Sequence, residues 1–496
     1  MTARPRSAAH ATRLVGGALP AERIAQLVLA AYVIAVFALG GGARDDISSL
    51  AILRPLSIAV LGYALVIADR EVLRANRMLI GLATAWTGLV ALHLVPLPPF
   101  LWQALPGREL AVAIDEAAGL GPVWRPLSLV PHRTLNALLS LSVPLAPLVL
   151  ALAIPRSQLR FTLPLLVVLA FLSALVSLLQ VAGGGSGAFY FYRITNDGSA
   201  VGLFANRNHN AIALALAIAG LGALRSQLMV PRELARHRPL ITTVLALTLV
   251  PFLVLTQSRA GLALGLVALI AHVALASGRI AIRPSPRLVL AGVMVIALAV
   301  TSWLLAGESA IARLASGADA AIEMRFAIWP TSFRLALDHF PAGSGIGTFV
   351  EVYRAGEPAS TLGATYINHA HNDFLEIALT GGLPALALLT AGAAWLACTA
   401  RRALAAARGA ERVMRSYGVV VLAIFALASL YDYPLRTPSL AVHFILALVW
   451  IAGRESRDTS RTRSHWRPKT SAVSDAASGP CPDREAARNI SAPGAR

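Results

Sequence analysis

Along most of the chain, apolar residues run in blocks of near-constant length, separated by Arg, Pro, Gly and short polar clusters. A helical block of about 20 residues, rising about 1.5 Å per residue, crosses about 30 Å of hydrocarbon. The blocks predict spans near 25–41, 51–68, 78–97, 134–154, 159–181, 208–224, 239–255, 260–277, 288–305, 374–396, 416–430 and 438–452. The fold expected is an all-α polytopic membrane protein with about 12 transmembrane helices, since a helix satisfies its backbone within the segment. Its predicted organisation is an N-terminal segment 1–24, a membrane bundle 25–305 with spans 1–9, a large loop 306–373, and a bundle 374–452 with spans 10–12. The tail 453–496, rich in Arg, Ser and Pro, is expected to be disordered.

Charge orients this bundle. Arg70, Arg74 and Arg77, then Arg225, Arg232, Arg236 and Arg238, then Arg401, Arg402, Arg408, Arg412 and Arg415 all fall in alternate connections. Basic residues concentrate on the cytoplasmic side of membrane proteins. Both termini are therefore expected in the cytoplasm, and 306–373 becomes a large periplasmic loop. The first apolar block follows about two dozen mixed residues and precedes further spans, so it is read as a retained anchor.

Composition narrows the function classes. With 56% hydrophobic and 14% charged residues, the chain is far from a soluble globular composition. The net charge of +18 is scattered over short loops and a tail, without an aromatic-studded basic face, so no nucleic-acid partner is expected. Cys398 and Cys481 offer neither a metal-ligand spacing nor a disulfide framework.

In that orientation the unusual polar clusters fall on the outer side. They are Phe204–Asn210 with Arg207, Asn208 and Asn210; Thr256–Arg259; Arg325 and Trp329; the glycine run Gly343–Gly347; Asn368–Asp373 followed by Glu376; and Tyr431–Tyr433 with Asp432 and Arg436. Ionisable groups at such depth are costly unless paired or solvated, which makes each a site candidate. Arg207 and Arg259 can snorkel to lipid phosphate or hold an anion beside a helix N-terminus. Asn208 and Asn210 can cap the sixth span. Gly343–Gly347 lacks the Lys-Ser/Thr of a nucleotide loop and predicts a tight turn over the bundle. His369 and His371 diverge on a helix but share a face on extended backbone. Either can act as a general base, with Glu376 or the more distant Asp432 as the orienting carboxylate.

There is no Rossmann fingerprint and no Walker-type loop in the sequence. A phosphorylated donor used on the outer face must therefore arrive attached to lipid. Arginines suit its diphosphate, because a guanidinium binds two phosphate oxygens at once and stabilises the leaving charge.

The segments GLFANRNHNA (202–211), TQSRAG (256–261), MRFAIW (324–329), PAGSGIGTF (341–349) and HAHNDFLEIALTGGLP (369–384), in this order, resemble the O-antigen ligase and polymerase-like superfamily over about residues 20–452. The resemblance implies a GT-C-like glycosyltransferase of the bacterial inner membrane with a periplasmic active site. Its donor would be an undecaprenyl-diphosphate-linked glycan and its acceptor a hydroxyl of a lipid or glycolipid such as lipid A-core. It implies no cofactor and, for ligases, no required metal. His371 matches the family's base, with His369 equally open, and Glu376 is a candidate partner. Arg259 matches a diphosphate ligand, Arg207 is a second basic contact, and Arg325 opens the helical segment of the large loop. Asn208, Asn372, Asp373 and Asp432 are supporting candidates. The alternatives are a polymerase joining lipid-linked repeat units, and a non-enzymatic transporter or flippase of a lipid-linked glycan.

Overall fold

The computed structural model describes residues 20–229, 231–277, 327–359, 362 and 366–454. The predicted ninth span at 288–305, Arg325 and the tail beyond Arg454 lie outside the described residues. All other predicted spans are helices: α1 (Ala21–Leu39), α2 (Leu50–Ile67), α3 (Arg77–Leu92), α4 (Pro131–Ala153), α5 (Arg156–Ala182) and α6 (Arg207–Leu224). They continue with α7 (Glu233–Leu255), α8 (Arg259–Ser277), α9 (Asp373–Ala406), α10 (Gly409–Ala428) and α11 (Pro438–Ala452).

Among the described residues, seven helices are long and apolar enough to cross a membrane, namely α1, α2, α4, α5, α7, α8 and α9. Helices α3 and α11 are apolar but shorter. Helix α10 carries Glu411, Arg412 and Arg415 in its first turns, and α6 begins Arg-Asn-His-Asn. The chain is a mostly helical, polytopic membrane protein.

Helix α6 forms the axis of the bundle, buried from His209 to Leu224. A helix apolar on every side must be surrounded, and its Ala- and Gly-rich sequence lets neighbours approach closely. A Cβ on Gly222 would lie 2.4 Å from His272 O, and one on Gly261 of α8 would lie 2.3 Å from Ala211 Cβ. The start of α6 corrects one expectation: Asn206, not Asn208 or Asn210, is the cap, its side chain accepting from the Asn208 N–H at 2.8 Å. Asn210 is buried one turn further in, where it donates to Ser177 Oγ and Ala200 O. A cap must lie just outside the helix, and the first turn begins one residue earlier than the apolar run indicates.

Helix α9 is interrupted at Gly382, which adopts φ 58° and ψ −156°. The interruption frees backbone groups that Pro341, Ser344 and Gly345 then satisfy. Ser344 N–H donates to Leu379 O at 3.0 Å, Gly345 N–H to Thr380 O at 2.8 Å, and Leu383 N–H to Pro341 O at 2.8 Å. Arg108, almost wholly buried, clamps the loop from the other side through Gly343 O and Leu127 O. The glycine run is thus a turn docked onto a helix break, with the Gly343, Ser344 and Gly345 amides donating to protein carbonyls and the Ile346 amide to His93 Nδ1. The described part of 306–373 also contains a helix over 327–338 and another at Phe349–Gly356.

The connections separate to two ends. At one end Ala205 N–H donates to Gly41 O, Ser439 N–H to Gly40 O, and Asp373 N–H to Ser429 O. At the other, Arg156 pairs with Glu411 at 3.0 Å, Gln158 bonds Glu22, and Arg454 N–H donates to Asn76 Oδ1 at 2.8 Å. The connections carrying Arg70, Arg74, Arg225 and Arg408, and the first turn of α10 with Arg412, belong to this second end.

Candidate active site

Four segments meet at the first end: the start of α6, the turn before α8, the extended stretch 366–372 leading into α9, and the α10–α11 connection. Their centre is Tyr433. The rings of His369, His371 and His209 lie 4.2, 5.0 and 5.2 Å from its ring centroid. Asn368 Nδ2 donates to its hydroxyl at 3.3 Å. Burial pushes the Tyr433 phenol well above its ordinary range, and the Asp432 charge adds to this.

Two histidine–carboxylate pairs flank this ring. His369 Nδ1 lies 3.1 Å from Glu376 Oε1, and Glu376 Oε2 also accepts the Ala370 N–H at 3.0 Å. His371 Nδ1 lies 3.5 Å from Asp432 Oδ1. Sequence left Glu376 and Asp432 open as partners of either histidine; the structure assigns one to each.

The two pairs differ in their surroundings. Arg436 Nη2 lies 3.1 Å from Glu376 Oε1, and its Nε 3.3 Å from Asp373 Oδ1, so a cation already compensates the carboxylate facing His369. Asp373 also accepts from Ser429 Oγ at 3.0 Å. Burial disfavours the imidazolium of His369 and lowers its pKa, with the Glu376 charge opposing. Among the described residues Asp432 has no arginine partner. It accepts from Asn208 Nδ2 at 2.8 Å and from the Tyr433 N–H at 3.0 Å, and lies 3.9 Å from His209 Nε2. Burial pushes the Asp432 carboxyl upward, but His371, His209 and Asn208 together outweigh it and hold the group well below the ordinary carboxylate range.

Local backbone places these groups. His371 sits in the left-handed region at φ 51°, uncommon for a non-glycine residue and frequent at functional sites. Asn372 then caps α9, accepting from the Leu375 N–H at 3.0 Å and donating to Leu430 O at 3.1 Å. Trp329 Nε1 donates to Ala370 O, tying the 327–338 helix to the histidine segment. Ser258 Oγ donates to Asn208 Oδ1 at 2.7 Å, so the turn before α8 supports Asp432 through Asn208.

Of the candidate residues, His371, His369, Glu376, Asn208, Asn372, Asp373 and Asp432 converge here. Arg207 and Arg259 occupy the first positions of α6 and α8, one residue from Asn208 and Ser258 respectively, which bond each other. Arg259 is exposed and Arg207 half-buried. Three participants were not singled out for a role by sequence: His209, whose Nδ1 meets Thr437 Oγ1 at 2.8 Å, Tyr433 and Arg436. Each stood inside a flagged polar cluster, but nothing local tells a ring platform or a charge partner from a surface residue. Among the described residues, no group of three or more His, Cys, Asp or Glu is placed to hold a metal ion.

Fold and site together define a polytopic helical membrane protein with a buried histidine–carboxylate centre at one end. A family model described as O-antigen ligase matches residues 244–390, so this stretch is similar to the O-antigen ligase and polymerase-like family. That stretch includes Arg259, both site histidines and Glu376, while Asn208, Asp432, Tyr433 and Arg436 lie outside it. Among curated proteins, none matches the chain.

Proposed function

We propose that this protein is an O-antigen ligase-like glycosyltransferase. It moves a glycan from an undecaprenyl-diphosphate carrier to a hydroxyl of lipid A-core or a related glycolipid, on the periplasmic face of the bacterial inner membrane. The observation that carries the reading is the His371–Asp432 pair beside the arginine-tipped starts of α6 and α8. In this scheme Asp432 engages His371 through Nδ1 and leaves Nε2 to take the acceptor proton. A buried carboxylate with no arginine partner among the described residues stabilises the imidazolium that forms. Arg207 and Arg259 grip the diphosphate, the amide groups of the helix N-termini add to their field, and Arg325 contributes from outside the described residues. The acceptor oxygen attacks the anomeric carbon as undecaprenyl diphosphate leaves, inverting that centre. His369, facing a carboxylate that Arg436 already compensates, positions a substrate hydroxyl as a neutral ring.

Support for the periplasmic assignment comes from charge: the site lies at the end opposite the arginine-rich connections. The GT-C-like topology of twelve spans, with both termini cytoplasmic, belongs to the same reading. The interruption of α9 does not favour a transporter, because the glycine turn fills it with backbone hydrogen bonds and leaves no cavity wall of free carbonyls.

The test is transfer in vitro, with purified protein in lipid, undecaprenyl-diphosphate-linked glycan and lipopolysaccharide core. Wild type is expected to add one whole chain to the acceptor, and His371→Ala and Arg259→Ala to lose this. Growth of the donor chain alone would assign a polymerase. Binding or movement of the donor without any transfer would overturn the enzyme.

A further inference from the structure

A groove of about 480 Å³ opens beside the site end of the bundle, between the start of α2 and the middle of α4. Its upper rim is Asp45, Asp46 and Ser48, and its lower wall is Pro55, Ile58 and Leu139, with Arg54 between them. Arg54 stands one turn inside an otherwise apolar spanning helix, where an unpaired cation is costly. Ser140 Oγ holds its Nη2 at 3.0 Å, and that hydroxyl donates onward to Asn136 O, so the guanidinium is fixed in direction. Its Nε is buried without a hydrogen-bond partner, and no carboxylate lies within ion-pair distance among the described residues. The rim aspartates do not compensate it. Asp45 pairs with Arg133, and Asp46 with Arg44 at 3.1 Å and Arg193 at 3.2 Å.

We infer that this groove binds a glycerophospholipid of the surrounding leaflet, with the phosphate on Arg54 and an acyl chain along Pro55, Ile58 and Leu139. Three features point to that occupant. The uncompensated charge is positive, and a guanidinium with spare donors matches phosphate. The wall below it is apolar and exposed, Ile58 at 52%, and exposed apolar side chains continue along α2 at Leu65 and Val66. The change from charged rim to apolar wall takes place within one helical turn, as at the headgroup–acyl boundary of a leaflet. The rim loop also reaches the segment that carries the site histidines: Arg44 packs over the Tyr366 ring, 4.8 Å from its centroid. A lipid in the groove thus borders the site without entering it. The inference stands independently of glycosyl transfer, because it is read by binding alone.

The experiment is native mass spectrometry of the full chain in detergent, titrated with dioleoylphosphatidylglycerol, with dioleoylglycerol as the phosphate-free control. One tightly held phosphatidylglycerol is expected, with affinity at least tenfold lower in Arg54→Gln and largely restored in Arg54→Lys. Dioleoylglycerol should bind weakly to all three. Ile58→Trp, which fills the exposed wall and leaves Arg54 in place, should also lose the lipid and guards against misfolding of the arginine variants. Equal phosphatidylglycerol binding by wild type, Arg54→Gln and Ile58→Trp would overturn the inference. So would displacement of the bound lipid by one equivalent of undecaprenyl phosphate, which would assign the groove to an isoprenoid carrier.

Discussion

Replacing Asp432 by Asn tests the acid–base reading most directly, because it removes charge and keeps shape. Asp432 Oδ1 lies 3.5 Å from His371 Nδ1, and the residue is fully buried. At that separation and an effective dielectric of about 20, the ion pair formed after proton transfer is worth about 4–5 kcal/mol. An amide dipole keeps part of this, so the transition state should lose about 3–4 kcal/mol, a rate decrease of about 10²- to 10³-fold. The fold should lose less. One carboxylate oxygen accepts from Asn208 and the other from the Tyr433 N–H, and an amide can accept at only one of them. The remaining mismatch costs about 1 kcal/mol. Single-turnover transfer with saturating donor and acceptor is the assay, alongside a melting curve in the same detergent. Wild-type turnover by a well-folded Asp432→Asn protein would refute the reasoning. A large loss in Glu376→Gln with none in Asp432→Asn would transfer the base to His369.

Arg436→Met removes the cation between two buried carboxylates, Asp373 and Glu376, and should cost about 3–5 kcal/mol, seen as loss of monodisperse protein; adding Asp373→Asn should recover part of it. Gly382→Ala should lower stability by about 2–4 kcal/mol, because a Cβ at φ 58° would lie 2.2 Å from Pro341 O, whereas Gly392→Ala, whose nearest neighbour would be at 3.8 Å, should leave the melting temperature unchanged or slightly raised. His93, just beyond the end of α3, accepts the Ile346 N–H through Nδ1, and burial, helped by Arg108, lowers its pKa from 6.5 to about 4. A folded value below the unfolded one favours the neutral ring, so this stability is complete above about pH 6.5 and declines as pH falls toward about 4. The loss should reach roughly 3 kcal/mol, read as a drop in melting temperature that is smaller in His93→Gln, and an identical pH slope in the two proteins would count against it.

Much of the architecture was legible because the signals for it are local. An apolar block of near-spanning length becomes a helix wherever it lies in a bilayer, since nothing else there satisfies the backbone. Thus α1 to α8 and α9 to α11 fall where hydropathy puts them, and the arginines of alternate connections gather at one end. The polar clusters were visible for a similar reason: histidine, asparagine and carboxylate side by side are rare beside membrane helices. Arg54 was not singled out by sequence; its place in the groove became visible only in the packed bundle.

What only the tertiary structure decided is which members of those clusters touch. His369 and His371 are two residues apart, yet one meets Glu376, seven residues after it, and the other Asp432, in a different connection. Hydropathy and spacing constrain each segment alone, whereas this pairing depends on how α6, α9 and the α10–α11 connection close around Tyr433. The same closure brings Arg436 to Glu376 and so gives two chemically identical rings different carboxylate environments. It also makes the expected tight turn at Gly343–Gly347 the backbone partner of a broken helix, because the carbonyls it satisfies are freed only once α9 bends at Gly382. Helix formation and side preference are written in consecutive residues. Charge compensation and hydrogen-bond closure belong to contacts between distant ones, and only the packed bundle specifies them.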